Sequence, residues 1–163
     1  TMGRTGVLTP IAVVESVDID GSTVSRASLH NVDIMGQTLH GCGWVGQKVE
    51  VYKANMIITQ IASAEEDEDI PHINKQYFLR PKVCPICGSP TELRRDANTL
   101  NVFCTNSDCE GKLINKLDHF CGKKGLDIKG LSKATLEKLI DWGWVSELAD
   151  LYHLNQATLY LPL

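Results

Sequence analysis

The stretch Cys84–Cys109 reads CPICGSPTELRRDANTLNVFCTNSDC, and the rest of the chain is organised around it. Its cysteines form two pairs with the spacing C-x2-C-x16-C-x4-C. A C-P-I-C-G turn aims two thiolates at one point, and Gly88 can take the positive φ needed there. The second pair repeats the arrangement after a short hairpin. The pattern predicts a structural zinc site that is closed to water and therefore not catalytic, with the ligands Cys84, Cys87, Cys104 and Cys109.

The alternative for these cysteines is a pair of disulfides in a secreted protein. Nothing in the sequence resembles a signal peptide, and six cysteines without one fit a reducing compartment. The zinc interpretation is therefore favoured. Cys42 and Cys121 lie outside the metal pattern, and both are expected to be buried thiols.

The charge of the chain is unevenly distributed. The net charge of -4 argues against a nucleic-acid partner, but residues 65–69 hold five of the twenty acids and are interpreted as a solvated loop. Between Lys112 and Lys133 there are six lysines and two acids. Such a local basic patch decides binding more than the total does. No apolar run is long enough to span a membrane, so no membrane partner is predicted.

The region before the cysteines has the pattern of a small β protein. Strands are predicted where Val and Ile are enriched, with a hairpin turn at Asp20-Gly21 and a short helix over Val32–Leu39. The predicted strands are Ile11–Ile19, Thr23–Leu29, Lys48–Lys53 and Ile57–Ala62. Short strands with one helix fit a small closed barrel, of which the OB-fold is the commonest type that binds nucleic acid.

After Cys109 the apolar residues recur with the spacing of an α-helix. Leu113, Leu117, Phe120 and Cys121 fall on one face, and Gly122–Gly125 ends that helix. Ser132 is a good N-cap for the next helix, Gly143 stops it, and a further short helix is expected over Ser146–Leu154.

The turn between these helices fits a helix-hairpin-helix motif. Such a turn points backbone N–H groups at a DNA phosphate, and here the candidate residues are Lys129, Gly130, Ser132 and Lys133. The alternative is a turn that merely joins two packed helices. The expected fold is therefore a multidomain α+β protein. Its predicted parts are an OB-fold barrel over 1–70, a linker over 71–83, a four-cysteine zinc finger over 84–110 and a partial helix-hairpin-helix region over 111–163.

Several segments together resemble the bacterial NAD-dependent DNA ligases. They include GRTGVLTP (Gly3–Pro10), VSRASLHN (Val24–Asn31), both cysteine pairs, DIKGLSKATLEKLI (Asp127–Ile140) and ADLYHL (Ala149–Leu154). Their order is that of the family's OB-fold, zinc-finger and helix-hairpin-helix domains. The chain departs from the family pattern at Asn55–Thr59, at the EGK after Cys109 and at Ser132, where relatives carry glycine.

The resemblance implies a role in sealing nicks in duplex DNA during replication and repair, in the bacterial cytoplasm and nucleoid. Family members use NAD and Mg²⁺ and adenylate a lysine in a K-x-D-G motif, which this sequence lacks. The chain is thus expected to be a C-terminal fragment that binds neither cofactor, is inactive alone and has no catalytic residue. Arg4, Arg26, His30 and Asn31 match family motifs and are expected to contact DNA, although His30-Asn31 could instead be a turn that hydrogen-bonds its own backbone.

Two other functions compete with this one. A non-enzymatic protein with an OB-fold and a zinc ribbon could coat single strands, but it would stack bases on aromatic residues, and the barrel region offers only Trp44 and Tyr52. A protein-docking module fits the acidic run and the negative total charge. Nothing in the sequence calls for a dimer, so a monomer is expected.

Overall fold

The computed structural model describes residues 1–66 and 71–154. They form two compact units, of which the first contains Thr1 and Val7–Thr105, while the second contains Met2–Gly6 and the chain from Asn106 onward. The strands are β1 (Val7–Leu8), β2 (Ile11–Ile19), β3 (Ser22–Ser28), β4 (Val49–Ala54), β5 (Ile58–Ala64), β6 (Thr91–Asp96) and β7 (Thr99–Cys104). The α-helices are α1 (Val32–Thr38), α2 (Glu110–Cys121) and α3 (Lys133–Asp141), and short 3-10 helices cover His72–Asn74 and Leu148–Tyr152.

The larger sheet of the first unit has the strand order β2-β3-β5-β4. Two antiparallel hairpins, β2–β3 and β4–β5, meet through a parallel pairing of Ser28 with Gln60. Asp20 and Gly21 both have positive φ, as a two-residue type I′ hairpin turn requires, so the predicted turn is confirmed. The predicted strands and the helix α1 are also found, with ends shifted by one or two residues.

The prediction of a closed barrel is wrong for the described residues. There β2 and β4 remain the two edges of a curled half-barrel, because four short strands are too few to close on one another. The gap is bridged by a side chain, since Lys53 Nζ on β4 donates to the carbonyl oxygen of Ile19 (2.5 Å) and to Ser22 Oγ.

The concave side of this sheet packs around a small apolar core. The buried side chains come from β3, the residues on either side of α1, and β5, and they are Ala27, Leu29, Leu39, Ile61 and Ala64. Alternation along β4 directs Val49 and Val51 to this core. The sheet is therefore half-buried, and its exposed residues include both Arg26 and apolar side chains such as Val13.

The second sheet of the first unit is a three-stranded ribbon with the order β1-β7-β6. The hairpin β6–β7 is antiparallel, and β1 adds to its free edge through Val7 opposite Phe103 and Leu8 opposite Val102. The helix α1 lies against β7, because the carboxylate of Asp33 accepts a hydrogen bond from Leu100 N (2.6 Å).

The segment predicted as a linker, 71–83, is hydrogen-bonded to the glycine-rich loop around Trp44. The amide of Val45 donates to the carbonyl of Gln76 (3.0 Å), and the amide of Phe78 donates to the carbonyl of Gly43 (2.7 Å). The acidic run 65–69 lies partly outside the described residues. Its first member, Glu65, is exposed and ion-paired with Lys48 at 3.7 Å.

The second unit packs α2 and α3 around a separate core. Leu117, Cys121, Leu136, Leu139 and Val145 are buried there, as the helical spacing predicts. Ser132 caps α3, since its hydroxyl accepts a hydrogen bond from Thr135 N (3.2 Å), and Gly143 has a φ of +72° after the helix end. Over 1–66 and 71–154, no helix has the length and apolar character that crossing a membrane requires.

The predicted short helix after Ser146 is found as a 3-10 turn. Asp150 organises the start of this turn. Its Oδ2 accepts hydrogen bonds from the Ser146 amide (2.7 Å), the Ser146 hydroxyl (2.8 Å) and the Glu147 amide (2.9 Å). These hydrogen bonds, that from the Ser146 amide first, lower the pKa of the Asp150 carboxyl. The predicted helix start after Leu154 lies outside the described residues.

Leu117→Ala should destabilise the second unit by about 2–5 kcal/mol, because the leucine is fully buried and its loss leaves a cavity. Urea unfolding followed by tryptophan fluorescence would report this, since Trp144 packs on the same core. Leu79→Ala is the control, as Leu79 is 77% exposed. Equal unfolding midpoints for the two variants would contradict the assigned core.

The Asp150 turn should weaken in acid. Its pKa is lowered by folding, so the stabilisation is present above the unfolded-state pKa and is lost as the pH falls through the folded-state pKa. The protection of the Ser146 and Glu147 amides, measured as their exchange relative to the intrinsic rate at each pH, should fall over that acid range. Asp150→Asn should show fast exchange already at neutral pH, and a variant with unchanged exchange would show that the carboxylate does not hold the turn.

Candidate metal centre and nucleic-acid interface

The four predicted zinc ligands come together. The sulfur atoms of Cys84, Cys87, Cys104 and Cys109 all lie within 4.8 Å of one another. The sulfurs of Cys87 and Cys104 are 3.6 Å apart. Tetrahedral coordination with metal–sulfur bonds of ~2.3 Å would separate sulfurs by about 3.8 Å. The geometry therefore fits one metal ion held by four thiolates.

Local hydrogen bonds fix the first cysteine turn. The amide of Gly88 donates to the carbonyl of Cys84 (2.9 Å), and the amide of Cys84 donates to the carbonyl of Ser89 (2.7 Å). Gly88 has a φ of +71°, as predicted from its place after the second cysteine. In the second turn, Asn106 Oδ1 accepts from the amide of Asp108 (2.9 Å), just before Cys109. The ribbon hairpin β6–β7 carries the chain from one turn to the other.

The chemistry of the donor set also favours a metal. Cys84, Cys104 and Cys109 are at most 2% exposed, and Cys87 is half-buried. Four thiolates at such spacing would repel one another strongly without a central cation. Soft sulfur donors in this number select zinc or iron over magnesium or calcium. The cluster can thus hold a metal ion with no position left for water.

The two remaining cysteines differ from each other. Cys121 is buried as predicted, and burial raises the pKa of its thiol, with the Asp118 carboxylate raising it further. A raised pKa disfavours the thiolate, the form in which a cysteine reacts. Cys42 is exposed, so the prediction that it is buried is wrong. It lies in a loop between two glycines, Gly41 and Gly43, where no strand or helix carries its side chain into a core.

Three predicted DNA-binding residues lie in the first unit. Arg26 is exposed on β3, opposite Val13 of β2. His30 is exposed and has a φ of +56°, while its backbone amide donates to Ser28 Oγ (3.2 Å). Asn31 is only 9% exposed, and its Oδ1 accepts from the amide of Ile34 (2.9 Å) at the start of α1. The structure thus gives Asn31 a helix-capping role.

The other predicted DNA-binding residues lie in the second unit. Arg4 is exposed in the turn between Gly3 and Gly6. Lys129 is ion-paired with Asp127 at 2.7 Å, and Gly130 has a φ of +78°. Lys133 is exposed, and its Nζ donates to Asn115 Oδ1 (2.8 Å). Ser132 uses its hydroxyl as the cap of α3.

Two residues that organise these surfaces were not singled out from the sequence. Asp33 links α1 to the ribbon through Leu100, and its place in the first helical turn is the signal that could have marked it. Asn115 bridges three segments of the second unit, and nothing in its sequence context distinguishes it from a surface helix residue.

The fold and the cysteine site define an OB-fold protein with a four-cysteine ribbon that could hold a metal ion. Residues 1–72 match the family described as the NAD-dependent DNA ligase OB-fold domain. The resemblance predicted from the sequence is thereby confirmed.

Relatives extend the similarity beyond the OB-fold. A DNA ligase of Lachnoclostridium phytofermentans is 43% identical over 153 residues, covering 93% of this chain and 22% of the relative. A DNA ligase of Ruminiclostridium cellulolyticum is 41% identical over 94% of the chain and 22% of its own length. One of Coprothermobacter proteolyticus is 39% identical over 99% of the chain and 23% of its own length. The chain therefore spans less than a quarter of these relatives.

Replacing one metal ligand should abolish metal binding. Cys104→Ser should lose the single bound metal equivalent and melt at lower temperature, because a buried ligand is removed from a closed site. Metal content by mass spectrometry and thermal melting with and without a chelator would measure both effects. Cys42→Ser is the control and should retain the metal, since its thiol is exposed and outside the cluster. Equal metal content in both variants would exclude the assigned centre.

Proposed function

We propose that this chain is the DNA-binding part of an NAD-dependent DNA ligase that seals nicks in duplex DNA during replication and repair. One observation carries the proposal: similarity to DNA ligases runs through the OB-fold, the cysteine ribbon and the helices in one continuous alignment. The match of residues 1–72 to the ligase OB-fold family supports the same assignment.

In this proposal the chain contacts the sugar–phosphate backbone and does not read sequence. Arg26 is an exposed cation of the half-barrel, and Arg4 and Lys133 are exposed cations of the second unit. Arginine and lysine at such positions neutralise phosphates and release counterions, so affinity falls steeply with salt. For His30 and Asn31 contact with DNA remains a prediction, and the capping bond of Asn31 leaves its amide nitrogen as the group that would reach DNA.

The metal in this proposal is a structural Zn²⁺ held by the four cysteines. Such a site contributes folding free energy directly, on the order of ~10 kcal/mol in small zinc-binding modules. NAD and Mg²⁺ would serve the whole ligase and not this chain, because the sequence contains no K-x-D-G lysine motif to adenylate. We therefore expect the isolated chain to bind DNA without catalysing ligation.

The helical unit is proposed to act as the first hairpin of a helix-hairpin-helix domain. Gly130 takes a left-handed conformation just before the Ser132 cap, so backbone amides at the start of α3 are the groups that would approach a phosphate. The division at 1–70, 71–83, 84–110 and 111–163 remains the proposed domain organisation. A monomer in the bacterial cytoplasm, associated with the nucleoid, completes the proposal.

Replacing Arg4 and Arg26 together by alanine should weaken duplex binding at least tenfold at low salt. If each arginine contacts one phosphate, the slope of log affinity against log salt should fall by about 1.8 in magnitude, at ~0.9 per contact. Fluorescence anisotropy over a salt series on nicked duplex would measure both quantities. Arg80→Ala, another exposed arginine, is the control and should leave the slope unchanged.

The same assay with intact duplex and single strand of matched length tests the function itself. Duplex binding, with or without preference for the nick, supports the ligase proposal. A preference for single strand would instead favour the coating function, and no binding at low salt would favour protein docking. Unchanged affinity in the double-arginine variant would show that these cations do not form the DNA-binding face.

A further inference from the structure

Asn115 uses its whole side-chain amide to join three segments of the second unit. Its Nδ2 donates to the carbonyl of Gly111 (2.6 Å) within α2 and to the carbonyl of Met2 (3.0 Å). Its Oδ1 accepts from Lys133 Nζ (2.8 Å) at the start of α3. The side chain is half-buried, so these bonds are partly shielded from water. One residue thereby connects the segment that carries Arg4 to the first residue of α3.

The N-terminal segment has little freedom once Met2 is held. The amide of Gly6 donates to the carbonyl of Gly3 (2.9 Å), which closes a turn with Arg4 at its tip. Gly6 has a φ of +87°, and a Cβ there would collide with the side chain of Lys112 on α2. Met2 is thus bound to α2 through Asn115, and Gly6 lies beside the flexible end of the Lys112 side chain on the same helix. The direction in which Arg4 leaves the surface depends on this docking.

The neutral amide also matters for charge. Lys129 is paired with the carboxylate of Asp127, which partly offsets its charge, although both side chains are exposed. Lys133 is held by an uncharged oxygen, so its position is fixed while its positive charge is retained. A carboxylate at position 115 would hold the ammonium group equally well but would neutralise it. It would also face the carbonyl oxygens of Met2 and Gly111 without a proton to donate.

We infer that Asn115 is a positioning residue for DNA binding: it holds the Arg4 turn and Lys133 on one frame so that both cations meet the phosphate backbone of duplex DNA. This inference rests on the proposed function, because Asn115 supports residues that are themselves only proposed to contact DNA. Asn115 itself need not touch DNA. Its effect on affinity passes through the two cations.

A double-mutant cycle tests this dependence. Asn115→Ala should weaken binding of the 163-residue chain to nicked duplex about fivefold, as loss of positioning hydrogen bonds does elsewhere. In a background that carries Arg4→Met and Lys133→Met, the same change should cost less than about twofold, because the cations it positions are gone. A fivefold loss in both backgrounds would overturn the inference, since Asn115 would then act independently of these residues.

A second variant tests the effect of charge at position 115 on the salt dependence of DNA binding. Asn115→Asp should lower the magnitude of the salt slope by about 0.9, because Lys133 becomes paired and no longer releases a counterion. Asn101→Asp adds the same charge outside the network, on β7, and should leave the slope unchanged. An unchanged slope in Asn115→Asp, or an equal decrease in both variants, would contradict the role assigned to the neutral amide.

Hydrogen exchange gives a measure that does not involve DNA. In Asn115→Ala the amide of Gly6 should exchange faster, while the amide of Leu136 in the core helix α3 should keep its protection. Equal protection of Gly6 in both proteins would show that Asn115 does not dock the Arg4 turn. If the unsubstituted chain fails to bind duplex at low salt, the proposed function and this inference fail together. Additive effects with duplex binding intact would overturn the inference alone.

Discussion

The convergence of four thiols on one point is the constraint on which the ribbon depends. The hairpin β6–β7 is only six residues to a strand, and its outer face is exposed, so its own packing supplies little stability. The two cysteine turns close the ends of this hairpin, and their hydrogen bonds hold the thiols in place. A central cation would convert mutual repulsion of the thiolates into attraction. A bound metal would thus take the place of a hydrophobic core in the ribbon.

The ribbon is joined to the rest of the first unit by strand pairing and by a side-chain hydrogen bond. The strand β1 pairs with β7, and the carboxylate of Asp33 on α1 binds the amide of Leu100. Arg95 lies 3.9 Å from the same carboxylate, although this exposed ion pair contributes little by itself. The bond to the Leu100 amide matters more, because an unpaired amide on an inner strand is costly. Hydrogen bonds to the backbone of β7 therefore join the half-barrel side of the unit to the ribbon.

Much of this arrangement could be predicted from the sequence because its signals are local. Each cysteine pair, the Asp20-Gly21 turn and the Ser132 cap depend on residues within a few positions of one another. The closed barrel could not be settled in this way, since closure depends on pairing between distant edges. Cys42 was misplaced because residue type is a weak guide to burial inside a glycine-rich loop.

The site residues were harder to predict than the fold for a related reason. Arg4, Arg26 and Lys133 could be selected from motifs. The residues that hold such cations in position could not. Asn115 binds Met2, which lies 113 positions earlier in the sequence, and no periodicity or motif indicates such a contact. Asn31 was matched to a binding motif, yet its buried oxygen caps α1. A polar residue in a motif can serve the backbone of its own chain as well as a ligand.

The strand β1 also has a consequence for how the chain folds. Val7 pairs with Phe103, so this edge closes a loop that contains nearly the whole first unit. The hairpins β2–β3, β4–β5 and β6–β7 join neighbouring strands and can form early at small entropic cost. Pairing of β1 with β7 has the highest contact order of the unit and requires a finished ribbon edge as its template. The amino-terminal strand is therefore expected to add last during folding and to detach first when the ribbon loosens.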